Sequence, residues 1–211
     1  MISLILLHQF IPLMLISICG TPGCGKTTLG KALRVRGFEV ISIKDLIEEK
    51  GWHEGWDENS SSLIVDKGYL RRRFNESFRE ASEKIFIEGH LSYLAPSDLI
   101  VVLRCNPNII ASRLSERGYD EPKVKENAEA EGLSSILVEA IAESSSFKAD
   151  GQRIDKGSKL VVERDVTGMA PDSVADWVLE MVDALQAKDL ILIDRYRPGS
   201  IDWTDVMAEW F

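Results

Sequence analysis

Cysteine is scarce and irregularly placed: Cys19, Cys24 and Cys105 are odd in number and lack metal-ligand spacing, so neither a disulfide framework nor a zinc module is expected. A reducing compartment fits. A clean membrane span is also missing, since one needs about 20 uninterrupted apolar residues. The nearest run, Met1 to Cys19, is broken by His8, Gln9 and Pro12, and no Lys or Arg precedes Lys26 to start a signal peptide. Its last seven residues lead directly into a glycine-rich loop. A cytoplasmic protein is therefore expected, with Met14 able to serve as a start and residues 1–13 a dispensable arm or an added turn of strand. Positive charge is in deficit as well. The formal net charge of −9 argues against a surface that grips nucleic acid throughout, while leaving room for a local basic pocket. No internal repeat or low-complexity tract occurs.

What is present is the composition of an ordinary soluble globule, 45% apolar and 28% charged. The 211 residues suffice for one large domain with its own core, residues 1–211 as a whole. Short apolar runs alternate with helical spacing. Strands are predicted at Leu13–Cys19, Phe38–Ser42, Leu63–Asp66, Ile85–Glu88, Leu99–Arg104 and Leu160–Glu163. Helices are predicted at Thr27–Arg36, Lys44–Lys50, Tyr69–Lys84, Asn106 to about Arg117, about Pro122–Glu143, and Pro171–Leu185. Gly51–Ser62 reads as a mobile loop, Ser144–Ser158 as a polar loop, and Leu190–Ile193 as a last apolar run before the tail. Strands alternating with helices of 10–15 residues mean βαβ units, hence a three-layer α/β fold around a central parallel sheet.

Gly20-Thr21-Pro22-Gly23-Cys24-Gly25-Lys26-Thr27 matches G-x-x-x-x-G-K-[ST] in full, between a predicted strand and a predicted helix. The glycines let consecutive N–H groups converge on phosphate oxygens, and the helix N-terminus adds about half a positive charge. Lys26 can reach the β- and γ-phosphates, the Thr27 hydroxyl can ligate Mg²⁺, and Thr28 stands nearer the α-phosphate. ATP and Mg²⁺ are the implied ligands. Cys24 is read as filling space beside Gly23 and Gly25 rather than as a nucleophile. There is no N-K-x-D guanine-reading signature, which counts against a GTPase.

Two further clusters narrow the class. Ile85-Phe86-Ile87-Glu88-Gly89-His90 ends a buried strand with a carboxylate, the place of an acid that holds Mg²⁺ through water. Arg117-Gly118-Tyr119, followed by Lys123, Glu126, Asn127, Glu129 and Glu131, reads as a short polar connection between two helices, suited to a lid that closes over ATP.

GTPGCGKTT, EGH, VLRCNP, RGYDEPKVKENAEAE, GWHEGWDE with LIVD, and the tail RPGSIDWTD together resemble the adenylate kinase isoenzyme 6 family. These are small archaeal and eukaryotic nucleotide kinases also linked to small-ribosomal-subunit maturation. The likeness is good over residues 14–143 and looser beyond. It implies a P-loop fold of nucleoside-monophosphate kinase type with a short lid at about 116–126 and a monophosphate region at about 42–66. It implies ATP bound by Gly23, Gly25, Lys26, Thr27, Thr28 and Arg117, with Cys24 counted among the ATP-binding loop residues by its place between the two glycines, and Glu88 and His90 as the acid-x-His pair. Many eukaryotic members carry Asp where Glu88 stands, and residues 144–164 are longer than the pattern suggests.

The implied reaction transfers the ATP γ-phosphoryl to AMP. Catalytic roles fall to Lys26, Glu88, His90 and Arg117, and the metal contacts to Thr27 and Glu88. Alternatives are an ATPase that assembles the small ribosomal subunit by binding one of its proteins, and a kinase of a non-nucleotide metabolite. His90 remains open between catalysis and a plain turn residue. Arg104 and Arg113 are further candidates for neutralising phosphoryl charge. Arg71, Arg72 and Arg73 read as solvent-facing, with a monophosphate contact as the other option. Trp52, Trp56 and Asp57 lie in the acceptor region, where packing beneath the loop is favoured over base stacking. Trp177, Trp203 and Trp210 read as core or docking residues.

Overall fold

The computed structural model describes residues 14–57, 62–78, 84–144, 159–208 and 210. The expectations for residues 1–13, for most of the loop at 144–158 and for residues 79–83 of the Tyr69–Lys84 helix lie outside them. Five strands form one parallel sheet: β1 (Met14–Cys19), β2 (Glu39–Ser42), β5 (Lys84–Glu88), β6 (Leu99–Arg104) and β7 (Leu160–Asp165), in the order β2-β5-β1-β6-β7. A separate antiparallel pair, β3 (Gly55–Asp57) and β4 (Ser62–Ile64), stands apart from it. Strands buried on both faces read as continuous apolar runs, and β1 and β6 are buried at every position.

Successive side chains of a strand point to opposite faces, and this divides the core in two. Ile16 and Ile18 of β1 join Leu99, Val101 and Leu103 of β6 against α1 (Lys26–Val35), α4 (Pro107–Glu116) and α7 (Pro171–Ala187). Leu15 and Cys19 join Ile100 and Val102 against α2 (Ile43–Lys50), α3 (Lys67–Ser77) and α6 (Ser135–Ser144). The result is the three-layer α/β arrangement expected. The chain runs from β1 out to β2 on one side and then turns back through β5 to β6 and β7 on the other, so the crevice at the C-terminal ends of β1, β5 and β6 is the natural ligand site.

Local chemistry sets the element ends. Ser42, Asp66, Asn106 and Asp120 each accept a main-chain N–H at a helix start, and Pro107 and Pro122 fill early helical positions where no donor is needed.

Three expectations need correction. The single helix from Pro122 to Glu143 is two, α5 (Glu121–Gly132) and α6, separated where Ser134 takes φ +57°. The cause is a buried arginine: Arg104 Nη2 donates to the Glu131 carbonyl at 3.1 Å and to Ser134 Oγ at 2.9 Å, drawing the helix end toward itself. Second, Gly51–Ser62 is not wholly loop, since Gly55–Asp57 pairs with Ser62–Ile64. Third, the helix predicted over Tyr69–Lys84 is α3, which stops at Ser77 with Phe78 as its C-cap, and Lys84 already belongs to β5. The last apolar run forms α8 (Leu190–Asp194), started by Asp189 accepting from Leu192 N at 3.0 Å. The tail then adds α9 (Thr204–Ala208), docked so closely on α5 that a Cβ at Gly132 would fall 2.5 Å from Met207 Cγ.

Candidate functional site

The glycine-rich loop leaves β1 at Gly20 and enters α1 at Lys26. Gly20 has φ +143°, and a Cβ there would meet the Leu103 carbonyl oxygen at 2.4 Å, so only glycine lets the loop pass this close to β6. Inside the loop, Cys24 N donates to the Thr21 carbonyl at 3.2 Å. No side chain caps α1, which leaves its first amides facing the loop without intrahelical partners. Lys26 is buried, and its Nζ donates to the carbonyls of Gly20 at 2.7 Å and Thr21 at 3.0 Å. Burial lowers its pKa, partly offset by the charges around it.

Thr27 and Thr28 are exposed on the first turn of α1, and Thr27 Oγ1 lies 3.5 Å from Glu88 Oε2. Glu88 is held there by register, since it pairs with Ile18 of β1 and Gly89 N donates to the Ile18 carbonyl at 3.1 Å. Burial raises the Glu88 pKa, with Lys26 pulling it back. A hydroxyl and a carboxylate at this spacing are hard oxygen donors of the kind Mg²⁺ takes, and Mg²⁺ completes its shell with phosphate oxygens and water.

On the other side of the loop lies a cleft of ≈ 230 Å³. Arg113 and Arg117 border it beside Gly25 and Thr28, and Val166, Met169, Pro171 and Val174 form its apolar wall. Arg113 Nη1 also donates to the Gly23 carbonyl at 2.9 Å. Sequence reasoning missed the apolar wall, because the turn after β7 carries no motif.

His90 follows Glu88 by two residues, just past the C-terminal end of β5, an interior strand. His90 is exposed as a residue, yet desolvation by the protein around it, and next the Lys26 ammonium, push its pKa from 6.5 down to about 4. The imidazole is therefore neutral at pH 7. Between those two values the unfolded chain binds a proton that the folded chain refuses, so this residue weakens the fold as pH falls through the window. His90→Gln is expected to flatten the decline in urea midpoint from pH 6.5 towards pH 4. An undiminished decline would assign it to other groups.

The expected lid residues divide. Arg117 to Asp120 form a short exposed connection, whereas Lys123, Glu126, Asn127, Glu129 and Glu131 belong to α5, and Glu131 is 2% exposed. Arg104 is not at the phosphate site. It is buried in a network with Glu131 at 2.7 Å and Glu163 at 2.9 Å. Cys24 is buried, and its thiol pKa is raised by that burial, as suits a space-filling residue.

Trp52 packs under the acceptor region against Phe74, with Arg73 over its ring, while Trp56 is exposed. Arg71 pairs with Glu143 at 2.6 Å. Trp177 is core, and Trp203 and Trp210 dock the tail through Glu131 and Asn108. Among the described residues no helix is long and apolar enough to cross a membrane.

A parallel sheet with a complete phosphate loop at its switch point and a carboxylate at the neighbouring strand end is the arrangement of the P-loop nucleotide-binding fold. The fold is similar to that of shikimate kinase from Acinetobacter baumannii, with a TM-score of 0.55 at 15% identity over 83% of this chain and 96% of that one. Residues 16–134 match the AAA domain family model.

The chain is also similar to proteins named "Putative adenylate kinase". It is 36% identical to that of Thermococcus gammatolerans over 93% of this chain and 96% of the relative. It is 37% identical to that of Archaeoglobus fulgidus over 93% of this chain and 95% of the relative. The chain belongs to this archaeal P-loop kinase family.

Proposed function

We propose that the chain transfers the γ-phosphoryl group of ATP to AMP. The observation that carries this reading is the convergence of Lys26, Thr27 and Glu88 on one mouth, beside a cleft with an apolar wall and two arginines. The dimensions suit a nucleotide whose phosphates lie in the loop and whose base lies in the cleft. The names of the 36–37% identical relatives support adenine as the base on both substrates.

Phosphoryl transfer asks little covalent chemistry of a protein and much positioning and charge compensation. Lys26, seated on the Gly20 and Thr21 carbonyls, would turn its remaining N–H toward the β- and γ-oxygens. Thr27 and Glu88 would hold Mg²⁺, which when bound offsets phosphate charge. Arg117, on the exposed connection, would close on the triphosphate and Arg113 would steady the loop through Gly23. Neutral His90 would accept a hydrogen bond from the acceptor side. Closure of 117–120 would exclude water and so favour the nucleotide acceptor over hydrolysis.

The test is an acceptor screen with Mg-ATP across AMP, CMP, GMP, UMP and water. The expected result is ADP formed from both partners when AMP is present, at a rate at least about tenfold above hydrolysis. Hydrolysis at one rate whatever the monophosphate would refute the kinase reading and favour an ATPase of the assembly-factor kind.

A further inference from the structure

Beneath the phosphate loop a buried carboxylate, Glu131, collects donors from three separate parts of the chain. Glu131 Oε2 accepts from Thr21 Oγ1 of the loop at 2.5 Å and lies 3.9 Å from Cys24 Sγ. Its Oε1 accepts from Arg104 Nε at 2.7 Å, from Cys105 N at 3.2 Å and from Trp203 Nε1 of the tail at 3.4 Å. Arg104 continues to Glu163 at 2.9 Å. The other oxygen of Glu163 accepts the main-chain amides of Gly199 and Ser200, each at 2.7 Å, and of Ile201 at 3.3 Å. The tail, β6, β7, α5 and the phosphate loop thus meet at one ionic hub.

Thr21 is the loop's contribution to that hub. It is 1% exposed, its hydroxyl bonds Glu131, and its carbonyl accepts from both Cys24 N and Lys26 Nζ. Fixing the side chain fixes the peptide plane on which the lysine rests.

We infer that Glu131 is a positioning residue for the phosphate loop, holding Thr21 in the conformation from which its carbonyl seats the Lys26 ammonium. Arg104 and Trp203 in turn hold the carboxylate, so the C-terminal tail is part of the scaffold behind the site. This rests on the reading of Gly20–Thr28 as the ATP phosphate site. A buried hydroxyl bonded to a carboxylate is the stronger class of hydrogen bond, and its loss frees the loop to sample other conformations. A loop that must be ordered on binding captures its ligand less tightly by the fraction of time it is misplaced.

The experiment compares Thr21→Val and Thr21→Ala, which remove the hydroxyl, with Thr21→Ser, which keeps it. Melting temperature, ATP affinity with Mg²⁺, and kcat and KM for each substrate are measured on full-length protein. The two hydroxyl-free variants are expected to weaken ATP binding and lower kcat by about tenfold while the AMP KM holds, and Thr21→Ser to recover most of the loss. A Glu131→Gln variant combined with Thr21→Val should be non-additive in ATP affinity. Should Glu131→Gln not fold, the Thr21 series decides alone.

Wild-type kinetics in Thr21→Val and Thr21→Ala, or a loss confined to melting temperature, would overturn the inference. So would additivity in the double variant. If wild-type protein itself neither binds nor turns over ATP, it is the phosphate-site reading that fails.

Discussion

Replacing Lys26 with Met is expected to cut turnover by about a thousandfold while leaving the melting temperature unchanged or raised. The two effects separate because the ammonium serves the reaction and burdens the fold. It is buried, bonds only two main-chain carbonyls, and forms no ion pair among the described residues. Its pKa is lowered, chiefly by burial, which means the unfolded chain holds the proton more firmly than the folded one. The charged lysine therefore weakens the fold at neutral pH. Methionine keeps the stem that packs under the loop and removes the charge. Steady-state rates with Mg-ATP and AMP, alongside thermal melts, check both halves. A variant that kept even a tenth of wild-type turnover would remove Lys26 from the mechanism.

Arg104→Met is expected to have the opposite profile, a large loss of stability whatever it does to the chemistry. Arg104 is 1% exposed and is the cation between two buried carboxylates, Glu131 and Glu163. A buried ion pair is weak evidence of net stabilisation, but deleting one member leaves the others charged and unpaired, at a cost of about 3–5 kcal/mol. For a domain of this size each kcal/mol moves the melting temperature by about 2–4 °C, so a fall of roughly 6–20 °C is expected by calorimetry. The tail should loosen with it, because Glu163 secures the amides of Gly199 to Ile201. Hydrogen exchange at those amides should rise together with that of Thr21. A fall of less than about 2 °C would mean that the carboxylates are compensated in another way.

Where the sequence carried the answer, one local rule was enough. Leu99–Leu103 is apolar without interruption and the strand covers it and Arg104, as predicted, and Asn106-Pro107 opens a helix where a cap followed by proline should. The phosphate loop was legible because its residue types follow from backbone geometry, and Glu88 because a carboxylate closes a buried run.

What was not legible depended on partners far along the chain. Glu131 looked like one more charge in a polar segment, yet its partner Thr21 is 110 residues away. Arg104, the last residue of its strand, was a candidate for neutralising phosphoryl charge, with salt bridging as the other reading, but β6 turns that side chain toward α5 and β7. The break between α5 and α6 was partly legible, since α5 ends on Gly132, while the Arg104 guanidinium that bonds the Glu131 carbonyl and Ser134 Oγ there is a long-range partner. The apolar wall of the cleft comes from isolated residues between Val166 and Val174, whose meeting depends on how α7 packs.

The central claim is that Gly20–Thr28 captures the phosphates of ATP. Isothermal titration of ATP with Mg²⁺ into the folded chain tests it most directly, with Lys26→Met run in parallel. One saturable site per chain is expected, with heat that disappears or weakens at least about a hundredfold in the variant. No measurable heat with wild-type protein, or equal affinity in both, would contradict the account.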